Sequence, residues 1–228
     1  MKFDFYLFDL DGTLLDLGNI GVYADQILIE TLMKLGVERI PNKTERTELW
    51  RSGQYFQKIL KNWGIFESKS FWKYYDKTDF EKRKTLLMNK EISLYKDVKT
   101  VLELMYHKEN KKLAICTNTA DYIVDFFLSR FKIKYYFHEI FSMGDNNQEF
   151  AKPSPKGILT ILKKLRFNSR KQKAIMIGDS IIDIKAAKAA NISSCLVNHL
   201  RKNEIERYKT WNIQPDYVIN HLHNLIDL

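Results

Sequence analysis

The chain has 228 residues, 45% of them hydrophobic and 13% aromatic, with only nine glycines and four prolines. This composition excludes a disordered or linker-rich chain, and the length fits one sizeable core or a core plus a small second domain. The formal net charge of +9 is spread over scattered lysines with no run of five or six, which reads as a solvated basic surface and disfavours nucleic acid as a partner.

Residues 3–8 form a short aromatic-rich run that ends in Asp9-Leu10-Asp11-Gly12, the pattern of a strand leading into a turn. Residues 19–35 carry Ile20, Tyr23, Ala24, Ile27, Thr31, Leu32 and Leu35 at helical spacing, and Gly36 suits the position just past the helix end. Helical patterns continue near 43–51, 54–63, 68–75 and 78–89. No convincing strand occurs between 16 and 90. Trp50, Trp63 and Trp72 fall in this stretch and read as core. Beyond Tyr95 helices near 97–108, 120–131, 155–166 and 180–190 precede apolar runs at 112–116, 138–142, 173–177 and 194–197, and a last short strand lies at 216–219. Strand alternating with helix predicts right-handed βαβ units, and continuous apolar strands predict a parallel sheet covered on both faces. The fold expected is an α/β Rossmann-like core, residues 1–15 and 91–228, with an all-helical domain, residues 16–90, inserted after the first strand.

Cys116 and Cys195 sit in apolar runs and read as buried thiols, and no pair of ligands has zinc spacing. No apolar run approaches the roughly 18 residues of a membrane span. Asp4, Asp9 and Asp11 interrupt the N-terminal apolar stretch, so it does not read as a signal peptide. A cytoplasmic protein without a membrane partner is expected.

Ligands of open parallel sheets bind beyond the C-terminal strand ends. There the sequence places Asp9-Leu10-Asp11-Gly12-Thr13, then Thr117-Asn118, then Gly178-Asp179-Ser180 with Asp183 about one helical turn later. Clustered carboxylates repel, and a hard divalent cation such as Mg²⁺ resolves the repulsion through oxygen ligands. Asp9, Asp11, Asp179 and Asp183 are therefore the candidate metal residues.

With these motifs the chain resembles the haloacid dehalogenase-like hydrolase superfamily. The first motif is Asp9-Leu10-Asp11-Gly12-Thr13-Leu14, the second Thr117-Asn118, the third Lys152 in Lys152-Pro153-Ser154-Pro155, and the fourth Gly178-Asp179-Ser180-Ile181-Ile182-Asp183. The helical insertion looks like the cap of the subgroup containing phosphoglycolate phosphatases, β-phosphoglucomutases and 2-haloacid dehalogenases. That resemblance implies a five-stranded parallel core with the first strand central. It further implies Asp9 as a nucleophile forming an aspartyl-phosphate and Asp11 as acid and then base. Thr117 and Asn118 would bind phosphoryl oxygens, and Lys152 would hold Asp9 and phosphate together. Mg²⁺ would be held by Asp9, the backbone carbonyl of Asp11 and Asp179, with Asp183 as ligand or support. Arg51, where the family's substrate-selecting cap loop falls, would meet an anionic substrate group.

An acid at position 11 argues against dehalogenation, because a halide leaves without a proton and an alkoxide does not. The resemblance implies a Mg²⁺-dependent phosphatase, phosphoglycolate phosphatase-like, acting on a small phosphorylated metabolite as a monomer or homodimer. A sugar-phosphate mutase, a nucleotidase and a pyrophosphatase are the alternatives within the family. A binding protein on a retired hydrolase fold would have lost one of Asp9, Asp11, Lys152 or Asp179, and none is missing. Gly18, Gly21 and the stretch around Glu91 are the candidate hinges of a closing lid.

Overall fold

A computed structural model describes residues 1–144, 147–199 and 207–228. In chain order the elements are β1 (Phe5–Phe8), β2 (Leu15–Asp16), α1 (Ile20–Lys34), α2 (Lys43–Arg51), α3 (Phe56–Asn62), α4 (Ser68–Met88), β3 (Ser93–Leu94), α5 (Val98–Glu103), β4 (Lys112–Ala120), α6 (Asp121–Arg130), β5 (Glu139–Met143), α7 (Lys156–Lys164), β6 (Ala174–Gly178), α8 (Ile181–Ala189), β7 (Ser193–Val197) and β8 (Tyr217–Ile219). Six strands form a parallel sheet in the order β5-β4-β1-β6-β7-β8. The apolar runs of the sequence match these six strands, so the five-stranded core implied by the resemblance is corrected to six.

The central strands β1 and β6 are buried along their whole length because every residue in them is apolar or glycine. Along β1, Tyr6 and Phe8 enter one cluster with Ile115, Ile177, Val101 and Phe127. Phe5 and Leu7 point the other way, into a cluster with Met176, Ile158, Ile161 and Ala187. Alternate residues of a strand face opposite sides, so one uninterrupted apolar strand serves two helical layers.

The stretch between 16 and 90 departs from the sequence reading in two ways. The segments near 68–75 and 78–89 are one helix, α4, because Asp76 and Lys77 between them are neither glycine nor proline and do not break a helix. A two-residue antiparallel ribbon, β2 with β3, pairs Leu15 with Leu94 and Asp16 with Ser93, and so ties together the two ends of the helical insertion. Strands this short carry no alternation that a sequence pattern could reveal. The insertion has its own apolar cluster of Leu28, Leu32, Leu49, Phe56, Leu60, Ile65 and Phe71, against which Trp50, Trp63 and Trp72 pack. Helices α1 and α2 start where capping side chains satisfy free N–H groups: Asn19 accepts from Val22, and Asn42 and Glu45 cap each other. Among the described residues no helix is long and apolar enough to cross a membrane.

Candidate active site

Strand register sets the site. Phe8, the last residue of β1, is level with Ile115 of β4 and Ile177 of β6. The next residues outward are therefore Asp9, Cys116 followed by Thr117, and Gly178 followed by Asp179. The Asp9 N–H still donates to Ile177 O at 2.9 Å, after which the chain leaves the sheet. Thr13, Leu14 and Leu15 all donate to Leu10 O, which winds residues 10–15 into a tight loop. Gly12 is at the bend with φ +74°, and a Cβ there would run into the Asp179 carboxylate and the Ile20 side chain. Glycine is thus required both by the backbone angle and by the approach of Asp179. Gly12→Ala is expected to cost about 1–3 kcal/mol of stability and to weaken Mg²⁺ binding. Thermal melting and a Mg²⁺ titration check this, and a variant with unaltered values for both would show that the approach is unimportant.

Asp9 is buried, and its Oδ1 accepts from Lys152 Nζ at 2.8 Å and from the Leu10 N–H at 2.8 Å. The same ammonium donates to Asp183 Oδ1 at 2.6 Å. Asp183 is fully buried, and its Oδ2 accepts from the Ser180 N–H at 3.1 Å and from the Ser180 hydroxyl. It sits in the first turn of α8 with both oxygens engaged, close enough to Gly178 that a Cβ on that residue would clash with it. Burial pushes the Asp9 carboxyl up to about 6, against the pull of Lys152. Burial works against the Lys152 ammonium too, but Asp183 and Asp9 more than offset it and keep the lysine charged.

Asp9, Asp179 and Asp183 each offer an oxygen, and these oxygens lie within 4.8 Å of one another. Three carboxylates, two of them paired with the Lys152 ammonium, form an all-oxygen donor set with excess negative charge, which suits a hard divalent cation. Of the expected metal residues, Asp9, Asp179 and Asp183 bring their carboxylates together, and the Asp11 carboxylate is outside this group. The resemblance assigns Asp11 only a backbone carbonyl for such a role.

Asp11 instead meets residues that the sequence reading did not single out. Arg83, on α4 of the helical insertion, donates from Nη1 to Asp11 Oδ1 at 2.7 Å and from Nη2 to Oδ2 at 2.6 Å. The Thr119 hydroxyl donates to Oδ2 at 2.8 Å. Burial disfavours the Asp11 charge, but Arg83 and Thr119 outweigh it and hold the carboxyl below its ordinary range. Arg83 is itself buried and anchored through Nε to Asp79 Oδ1 at 2.8 Å, and Asp79 also accepts from the Tyr23 hydroxyl. The one signal in the sequence was the Asp79–Arg83 spacing, a four-residue ion pair on one helix face.

The second motif is also rearranged. β4 runs on to Ala120 with a register shift after Cys116, so Thr117 and Asn118 lie within the strand rather than beyond it. Thr117 is buried and its hydroxyl pairs with Thr119. The Asn118 amide grips the backbone of Lys152, donating to its carbonyl at 3.0 Å and accepting from its N–H at 2.8 Å. Asn118 therefore positions the lysine. Asn118→Ala should lose about 1 kcal/mol per hydrogen bond and lower kcat more than it raises KM, as steady-state kinetics would read. A change confined to KM would instead make Asn118 a substrate contact. Arg51 is exposed at the end of α2. The turn after it approaches Pro153, since a Cβ on Gly53 would stand 3.8 Å from that ring, but none of these contacts brings Arg51 into the carboxylate cluster.

The profile of haloacid dehalogenase-like hydrolases matches residues 6–197, which includes every motif just described. The chain belongs to this family. A relative from Caldanaerobacter subterraneus, provisionally named pyrophosphatase PpaX, is 29% identical over 237 residues, covering 100% of this chain and 95% of the relative. A crystal structure provisionally named as a phosphoglycolate phosphatase, from Lactobacillus plantarum, superposes with a TM-score of 0.69 at 19% identity, covering 100% of this chain and 99% of the other. The magnesium-bound form of YfnB from Bacillus subtilis, a provisionally named hydrolase of the family whose structure shows interdomain movement, superposes with a TM-score of 0.62 at 21% identity, covering 100% and 98%. As a haloacid dehalogenase-like hydrolase, the chain carries an α/β core with an acidic cluster at the edge of its sheet.

Proposed function

We propose that this protein is a Mg²⁺-dependent phosphatase that hydrolyses a small phosphorylated compound through an aspartyl-phosphate on Asp9. The observation that carries this reading is the buried carboxylate of Asp9 held at 2.8 Å by Lys152, with Asp179 and Asp183 beside it and Asp11 on the same loop. The donor set fits Mg²⁺, with Asp9 and Asp179 as the residues that would hold it and Asp183 supporting Lys152. When bound, Mg²⁺ would supply positive charge against the phosphoryl oxygens.

In the first step Asp9 forms a bond to phosphorus as the bond from phosphorus to the leaving oxygen breaks. The electron pair goes to that oxygen, which takes a proton from Asp11; Asp11 is ionised while Arg83 holds it, so it must first leave Arg83 and pick up a proton from water or from the substrate. In the second step Asp11 takes a proton from water, whose oxygen bonds to phosphorus and releases Asp9. Lys152 keeps Asp9 ionised and aimed, and its fixed charge opposes the repulsion between carboxylate and phosphate. Helices α1–α4, residues 16–90 with their flanks, would act as a cap that excludes bulk water and limits substrate size. The ribbon of β2 and β3 ties their two ends beside Gly18, whose φ is +68° and whose surroundings are open.

Pyrophosphate is the substrate favoured by the name of the relative that matches over the full length of this chain. Phosphoglycolate and other monoesters are the next candidates. A panel of phosphorylated metabolites with Mg²⁺, read by release of inorganic phosphate, tests the proposal. Phosphate release from at least one small compound is expected, and isomerisation of a sugar phosphate without phosphate release would make the protein a mutase instead.

A further inference from the structure

In the arrangement described above, Arg83 covers both oxygens of Asp11, so the carboxyl has no oxygen clear of it to present to a leaving group. The contact is built into the fold. Arg83 is 3% exposed, its Nε is fixed by Asp79, and its guanidinium lies 5.6 Å from the centre of the Tyr23 ring and 5.9 Å from that of Phe127. Asp79, Tyr23 and Arg83 lie on α1 and α4, whereas Asp11 follows β1, Thr119 is in β4 and Phe127 is on α6, so the contact bridges the helical insertion and the α/β core. Releasing Asp11 without replacement would strand the terminal donors of a buried guanidinium, and buried donors are costly to leave unmatched.

We propose that Arg83 recognises a second anionic group on the leaving side of the substrate, a phosphate or carboxylate joined to the departing oxygen, and exchanges Asp11 for it. The inference rests on the phosphatase reading. A leaving oxygen that receives a proton from Asp11 must lie against its carboxyl, and Arg83 Nη1 and Nη2 are already within 2.7 Å of that carboxyl. Whatever the leaving oxygen carries therefore falls within reach of the fork. A planar guanidinium matches a phosphate or carboxylate with two parallel hydrogen bonds. The exchange frees Asp11 only when such a group is present, so the residue sets specificity and couples it to the catalytic carboxyl. A substrate with a neutral leaving group leaves Arg83 on Asp11.

The test compares wild type with Arg83→Gln on pyrophosphate, phosphoglycolate and p-nitrophenyl phosphate with Mg²⁺. The ratio of kcat/KM for the anionic leaving groups to that for p-nitrophenyl phosphate should fall about 30-fold or more. Comparing pyrophosphate with phosphoglycolate tells whether the fork favours phosphate or carboxylate. Binding gives a second readout: the preference of wild type for imidodiphosphate over inorganic phosphate should be lost in the variant. Arg83→Lys keeps the buried charge without the two-pronged contact, and it should show the same fall in ratio if the glutamine variant does not fold. A ratio unchanged in the folded variant, with the imidodiphosphate preference intact, would overturn the proposal and leave Arg83 as a brace for Asp11. If wild type hydrolyses none of the three compounds or any other member of the panel, the phosphatase reading falls with it. If it hydrolyses all three equally well, only the role of Arg83 falls.

Discussion

Asp9→Asn should abolish turnover, by about 10⁴-fold or more, while the fold survives. The carboxamide has no charge with which to attack phosphorus, and its shape matches the carboxylate it replaces. Lys152 would keep its 2.6 Å contact with Asp183, so the ammonium is not left without a partner. Stability should therefore change by no more than about 1 kcal/mol. Removing one of three close carboxylates also relieves repulsion in the metal-free protein. Kinetics and urea unfolding, measured on one preparation, separate the two effects. A variant that retains a tenth or more of the wild-type rate would remove Asp9 from the chemistry, and an unfolded variant would make it a structural residue.

Lys152→Met should damage both stability and activity. Asp183 is fully buried, and the ammonium that faces it also holds Asp9. Breaking a buried pair by deleting one partner costs about 3–5 kcal/mol, because the remaining charge is left without compensation. Activity should fall by about 10²–10³-fold, the usual consequence of losing a fixed donor from a transition-state site. Mg²⁺ should recover part of the stability, since it supplies positive charge to the same carboxylates, and little of the rate, since it does not restore the aim of Asp9. Unfolding in chelator and in Mg²⁺ reads the first effect and phosphate release reads the second. A variant as stable as wild type in chelator would mean that the buried Asp183 does not depend on Lys152 for a partner.

The ends of β1 and β6 were legible because each of these strands is a continuous apolar run that stops abruptly at polar residues. Phe8 to Asp9 and Gly178 to Asp179 are such breaks, and the parallel sheet brings them level. Lys152 carries no such signal of its own and came only through its resemblance to a family motif. Arg83 was not legible. It lies on a 21-residue helix crowded with lysines and aspartates, and only the folded chain shows that this one arginine turns inward, 72 residues from its partner Asp11. Thr119 was missed because β4 continues past the point where its apolar pattern ends. The β2–β3 ribbon was missed because its two strands are two residues each and lie far apart in the sequence. The separation of the Asp9 and Asp11 carboxylates was not legible either, because the three N–H groups converging on Leu10 O wind the loop and send the two carboxylates to different partners.

In the proposed reaction the phosphoryl group passes through Asp9. The most direct test of this step is acid quenching of a single turnover with a hydrolysed substrate and Mg²⁺, followed by mass spectrometry of the peptides. A transient phosphoryl adduct is expected on the peptide that carries Asp9, rising and falling as phosphate is released and absent from Asp9→Asn. Phosphate release with no adduct at any time point, or an adduct on another residue, would exclude Asp9 as the nucleophile.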